Sequence, residues 1–299
     1  MNSPQPATLE AAPILSWADF KEITKARLAI SVVFSALAGY ALAVDSWIPI
    51  DLLLLCVGGY ALVGASNAYN QVIECRLDAL MKRTRNRPLP AGRMSVKTAL
   101  VWALTMTLIG GVSLWALNPK TALFGLLSVV LYAGVYTPLK TKTPLAVFVG
   151  AIPGAIPFML GWVAATNSFG IEPGTLFMVQ FFWQFPHFWA LAWMLDEDYQ
   201  RGGFALLPTR KKDTTSAALI LIYIVWMMLV AIIPVFGVTG ILSLSLTAAG
   251  VISLLGLVMA FFGVQLFLNR SNVSAKKLML ASVVYISAVQ VIYVLDRWI

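Results

Sequence analysis

Asn70, Glu74 and Asp78 stand four residues apart. At about 100° per residue, that spacing puts an amide and two carboxylates on one helix stripe about 80° wide. They belong to a polar run, Asn67 to Asp78, that directly follows the apolar stretch Leu52 to Ala65, so they would face one spot at a membrane edge. Carboxylates are costly there without a cation. Mg²⁺ suits such oxygens and completes its shell with water and substrate phosphates. The next segment, Lys82-Arg83-Thr84-Arg85-Asn86-Arg87-Pro88-Leu89-Pro90, offers Lys82, Arg83 and Arg87 to grip the same phosphates. The plainer alternative is a solvated helix end followed by ordinary charge on the inner membrane side.

A second acidic cluster, Asp196-Glu197-Asp198, lies 120 residues after Asp78 and also runs into basic residues and a Leu-Pro. This looks like a weak internal duplication. Two such clusters at the inner ends of two helices could share one or two Mg²⁺ on a diphosphate, with Asp198 as the ligand from the second. Three adjacent acids cannot all face inward, so Asp196 and Glu197 are weaker candidates. Tyr136 and Lys140 are four apart and suit a leaving diphosphate, although Pro138 between them argues against a regular helix. An interfacial tyrosine and a topology lysine would read the same way. His187, the only histidine, sits in Gln180-Phe181-Phe182-Trp183-Gln184-Phe185-Pro186-His187-Phe188-Trp189. It is either functional or a packed, hydrogen-bonded core group. The aromatics around it would pack against helices or lipid, or line an apolar pocket. The eleven residues to Asp198 place both on nearly one helix face, about 16 Å apart.

These residues need membrane helices to hold them. The 299 residues are 60% hydrophobic and only 11% charged, which excludes an ordinary soluble domain. The sequence predicts an all-α polytopic membrane protein. Nine spans are expected at about 28–44, 52–69, 98–117, 121–136, 144–165, 175–195, 214–235, 241–267 and 277–295, within one domain over residues 17–299. Pro153 and Pro157 are expected to bend the fifth. With a cytoplasmic N-terminus, 19 of the 21 Lys and Arg fall on the inner side. Topology therefore explains the net charge of +8 better than nucleic acid does. Residues 1–16 read as a disordered cytoplasmic tail, neither signal nor transit peptide. Cys56 and Cys75 do not form a disulfide framework.

Taken together, Asn70-x-x-x-Glu74-x-x-x-Asp78, Met81-Lys82-Arg83-Thr84-x-Asn86-Arg87-Pro88-Leu89-Pro90, Tyr136-Thr137-Pro138-Leu139-Lys140, Pro186-His187-Phe188-Trp189 and Asp198-Tyr199-x-x-Gly202-Gly203 resemble the UbiA-type intramembrane prenyltransferase superfamily, and within it the branch that prenylates haem. The resemblance implies transfer of a farnesyl group from farnesyl diphosphate to a vinyl group of haem b, with addition of water. The products would be haem O, for haem-copper oxidases, and diphosphate. It implies Mg²⁺ as cofactor on Asn70, Glu74, Asp78 and Asp198, with Lys82, Arg83, Arg87 and Lys140 on the diphosphate and Tyr136 beside them. Haem b is then a substrate, with His187 and Trp183 its candidate contacts. The implied location is the inner membrane with the site facing the cytoplasm, and the implied protein partners are haem A synthase or oxidase assembly factors. One departure stands out: Gly202 occupies the position where the second motif often carries another aspartate. Two alternatives remain at this point, a prenyltransferase acting on a quinone-precursor or chlorophyll-type acceptor, and a secondary transporter, whose charges should lie nearer the midplane.

Overall fold

The computed structural model describes residues 16–299, and those residues form helices and turns with no strand. The elements are α1 (Trp17–Ile23), α2 (Ala26–Ala43), α3 (Pro49–Asp78), α4 (Val96–Leu117), α5 (Pro119–Val129), a π-helical segment (Val130–Tyr136) that runs into α6 (Thr137–Leu139), α7 (Ala146–Thr166), α8 (Ile171–Met194), α9 (Asp196–Arg201), α10 (Thr214–Ala231), a 3₁₀ turn (Ile233–Phe236), α11 (Leu246–Asn269) and α12 (Asn272–Trp298). Eight of the long helices are long and apolar enough to cross a membrane. The ninth, α8, is also 24 residues long but carries Gln180, Gln184 and His187 in its interior. With all backbone groups paired within each segment, helices are the shape a bilayer permits.

Successive helices are neighbours, and α12 folds back onto α8 and α2. The α2–α7 crossing is tight because a Cβ at Gly39 would collide with the Phe158 carbonyl, and one at Gly161 with the Ala36 carbonyl. Pro153 and Pro157 both lie inside the single helix α7.

The two ends of the bundle are set apart by their cross-links. At one end, the Ala205 amide donates to the Lys140 carbonyl at 2.8 Å, Arg210 to the Lys142 carbonyl at 2.9 Å, Lys212 to Asn272 and Arg93 to Asp19 at 2.7 Å. At the other, Asn118 donates to the carbonyls of Val163 and Ala164, Arg297 pairs with Asp45 and Glu172 accepts from the Ile241 amide. The segments expected on the inner side thus touch one another, as do those expected outside.

Three sequence expectations need adjustment. The fourth span does not stop at Tyr136. The Thr137 amide bonds to the Tyr132 carbonyl, five residues back, and the wider π turn relieves the clash Pro138 would make in an α-helix. The eighth span starts at Leu246, not Ile241. Gly237 and Gly240 take positive φ, and Ser245 caps α11 by accepting from the Ala248 amide, so the apolar residues Ile241, Leu242 and Leu244 belong to a turn. Residues 1–15 of the expected tail lie outside the described residues, and Ser16, its last residue, is the N-cap of α1.

Candidate active site at the basic end of the bundle

The polar run is the last part of a single 30-residue helix, α3. Its stripe is buried: Asn70 is 1% exposed, Glu74 3% and Asp78 1%. Asn70 donates its amide to Thr137 Oγ1 at 3.0 Å, and that hydroxyl donates to the Tyr132 carbonyl. The bond uses one of the two amide N–H groups and leaves the amide oxygen available as an acceptor. Lys140 Nζ lies 2.9 Å from Glu74 Oε1 and 3.2 Å from Oε2, and it sits over the rings of Tyr136 and Phe204, 4.6 and 5.6 Å from their centroids. The π turn aims this cation, and Gly150 on α7 makes room for the Tyr136 ring, where a Cβ would come within 2.7 Å. Arg87 Nη1 lies 2.7 Å from Asp78 Oδ2.

Asp78 Oδ1, by contrast, is buried with no hydrogen-bond partner. An anionic oxygen left bare in the interior is expensive, and a hard divalent cation is the partner its chemistry fits. Asn70, Glu74 and Asp78 therefore suit Mg²⁺ by donor type. Among the described residues, no three Asp, Glu, His or Cys side chains gather closely enough to hold a metal ion by themselves. The set would have to be completed by an amide, water or substrate phosphate.

Asp198 lies at the same end but is engaged differently. Its Oδ1 accepts the Lys82 amide at 2.7 Å and its Oδ2 the Arg83 amide at 3.1 Å, and Arg201 reaches Oδ1 at 3.3 Å. Burial alone would raise its pKa. The Arg83 and Lys82 amides and the charges of Arg201 and Arg83 overcome this and hold the carboxyl below the usual range. Asp198 thus latches α9 to the loop after α3. The Lys82 and Arg83 side chains are exposed and line an open cleft of about 410 Å³ with Glu197, Asp198 and Arg201. Asp196 turns to Gln200, and burial pushes its carboxyl up. A Cβ on Gly202 would sit 3.0 Å from Met81 Sδ, so a second aspartate there would press on the Met81 side chain.

One cation escaped the sequence reading. Lys25 has φ 49°, in the left-handed region, at the break between α1 and α2. Asn67 donates to the Thr24 carbonyl and Gln71 to the Glu22 and Ile23 carbonyls, so the other face of the polar run binds the C-terminal carbonyls of α1. Arg93 ties α1 down from the loop side through Asp19, whose carboxyl it holds low, and Glu22. Burial, followed by the charges of Arg87, Lys140 and Arg83, pulls Lys25 down to about 7 against the opposing effect of Glu74. It therefore senses the same site. The one hint in the sequence is that Lys25 precedes the first span by only a few residues, where it passes for topology charge.

His187 and Trp183 make their hydrogen bonds to α12, away from the acidic stripe. His187 Nδ1 lies 2.8 Å from Ser282 Oγ, Trp183 Nε1 donates to the Ser282 carbonyl at 2.6 Å, and the two rings stack at 4.8 Å.

The family model described as the UbiA prenyltransferase family matches residues 32–287. A protoheme IX farnesyltransferase of Christiangramia forsetii is 61% identical over 289 residues, 97% of this chain and 96% of its own. One of Flavobacterium psychrophilum is 58% identical over 94% of this chain and 95% of its own. Among solved structures, a UbiA homolog from Aeropyrum pernix superposes with a TM-score of 0.71 at 19% identity, over 89% of this chain and 98% of that one. A UbiA homolog from Archaeoglobus fulgidus bound to GPP and Mg²⁺ gives 0.62 at 15%, over 92% and 99%. The structures speak to the fold, and the sequence matches to the family: the chain belongs to the UbiA prenyltransferase family.

Proposed function

We propose that the protein transfers the farnesyl group of farnesyl diphosphate to a vinyl group of haem b, with addition of water, giving haem O and diphosphate. The names of its relatives over nearly the whole chain supply donor and acceptor. The observation that carries the site is the buried stripe Asn70, Glu74 and Asp78, with a bare Asp78 oxygen and with Lys140 and Arg87 paired to its carboxylates.

In this reading Asn70, Glu74 and Asp78 would hold Mg²⁺, and Asp198, bonded to the Lys82 and Arg83 amides, would serve the same diphosphate from the other loop as the lesser contributor. Bound Mg²⁺ neutralises the departing diphosphate. Lys140, Arg87 and Lys25 donate to its oxygens, Lys82 and Arg83 guard its approach, and the Tyr136 ring keeps Lys140 aimed. The allylic C–O bond then breaks with both electrons leaving on oxygen. The apolar bundle keeps water from the farnesyl cation until the vinyl π electrons form the new C–C bond. Water adds to the resulting porphyrin-stabilised cation and gives up a proton. His187 and Trp183 receive the macrocycle. The site faces the cytoplasm of an inner membrane, and haem A synthase or oxidase assembly factors take the product.

The test is incubation of purified protein with haem b, farnesyl diphosphate and Mg²⁺, followed by mass analysis. A hydroxyethylfarnesyl haem is expected, formed only with Mg²⁺. Prenylation of an aromatic acid in place of haem would overturn the acceptor, and prenyl transfer undiminished by chelator would overturn the metal.

A further inference from the structure

We infer that Ser282 is a positioning residue that fixes the protonation pattern of His187 and leaves Nε2 as the atom presented to haem iron. This rests on the reading of haem as acceptor. Ser282 Oγ lies 2.6 Å from the Met279 carbonyl and 2.8 Å from His187 Nδ1. A carbonyl can only accept, so the single hydroxyl proton goes to Met279. What remains on Oγ is a lone pair, and a lone pair cannot bond to an unprotonated nitrogen. Nδ1 therefore carries the proton, and Nε2 holds the free pair. Nε2 has no partner among the described residues, yet it is absent from the enclosed unpartnered atoms, on a half-buried ring. It is thus not sealed inside the protein. A metal-binding imidazole is prepared in this way, with its second nitrogen donating to a fixed acceptor.

The same residue sets the ring plane. Its backbone carbonyl takes the Trp183 indole N–H, and Trp183 stacks on His187 within 20° of parallel. Ser282 itself is fully buried, so its hydroxyl is not a surface accident. Two turns further along α12, Gln290 bridges Ser35 on α2 and Gln180 on α8, which holds α12 and α8 in register beside the histidine.

The test is titration of ferric haem b into the purified full chain, read by the Soret band and electron paramagnetic resonance, alongside steady-state kinetics for both substrates. The wild type should give a histidine-ligated spectrum that His187→Ala abolishes. Ser282→Ala should weaken haem binding about tenfold and alter the ligation signature, Ser282→Thr should restore both, and KM for farnesyl diphosphate should stay within about twofold in each. Should Ser282→Ala fail to fold, Ser282→Cys, similar in shape but a poor acceptor, is judged by the same criteria. A wild-type spectrum identical to that of His187→Ala would overturn the ligand reading of His187 and the inference with it. A histidine-ligated spectrum with unchanged affinity and ligation in the Ser282 variants would overturn the inference alone. Haem O formation by the wild type, assayed separately, shows whether the underlying reading of function survives either result.

Discussion

The two acidic clusters resemble each other in sequence and differ in what they touch. Glu74 and Asp78 are sealed inside the bundle on a long helix and meet only cation side chains. Asp198 sits on a six-residue helix at an open cleft and spends its oxygens on two backbone amides. A carboxylate whose companions are removable cations is poised to exchange them for metal and phosphate. One whose companions are amides holds a loop in place. Under the proposed function, the similar motifs would perform unequal parts of one task.

The largest effect should come from Asp78→Asn, which keeps the shape but removes the bare charge. Prenyl transfer should fall about 10³-fold, and a loss under tenfold would erase the distinction between clusters. Lys140→Met should lower kcat by about 10²-fold and, by leaving Glu74 buried without a partner, cost about 3–5 kcal/mol of stability. Adding Glu74→Gln should recover most of the thermal stability in detergent and none of the activity. Asp198→Asn should cost about tenfold and make the loop after α3 more sensitive to protease, whereas a loss equal to that of Asp78→Asn would make Asp198 a ligand of equal weight. Smaller still, Lys25→Met should raise KM for farnesyl diphosphate several-fold. Because its pKa is lowered to about 7, Lys25 is mostly neutral at about pH 8 and must regain its proton when the anion binds. Calorimetry in two buffers should show proton uptake there for the wild type and not for Lys25→Met.

The legible part of the molecule was the part with local periodicity. The Asn70, Glu74 and Asp78 stripe follows from a four-residue spacing on a helix that continues, and the gathering of the basic loops at one end of the bundle follows from the placement of Lys and Arg. Pro138 read as a stop because the π turn that accommodates it leaves no mark on hydrophobic pattern. Ile241 to Leu244 read as helix because they are apolar, and only glycine conformations reveal the turn. Lys25 was hidden because its direction depends on a left-handed backbone held by Asn67 and Gln71, some 40 residues away. His187 drew notice as the sole histidine, but its partner Ser282, 95 residues on, could be found only in three dimensions.

The central claim is that the stripe on α3 holds the metal on which diphosphate departs. Mn²⁺ used in place of Mg²⁺, with an unreactive farnesyl diphosphate analogue, tests it by electron paramagnetic resonance. The account predicts bound Mn²⁺ in the wild type, its loss in Asp78→Asn and its retention in Asp198→Asn. Undiminished Mn²⁺ binding by Asp78→Asn would contradict it.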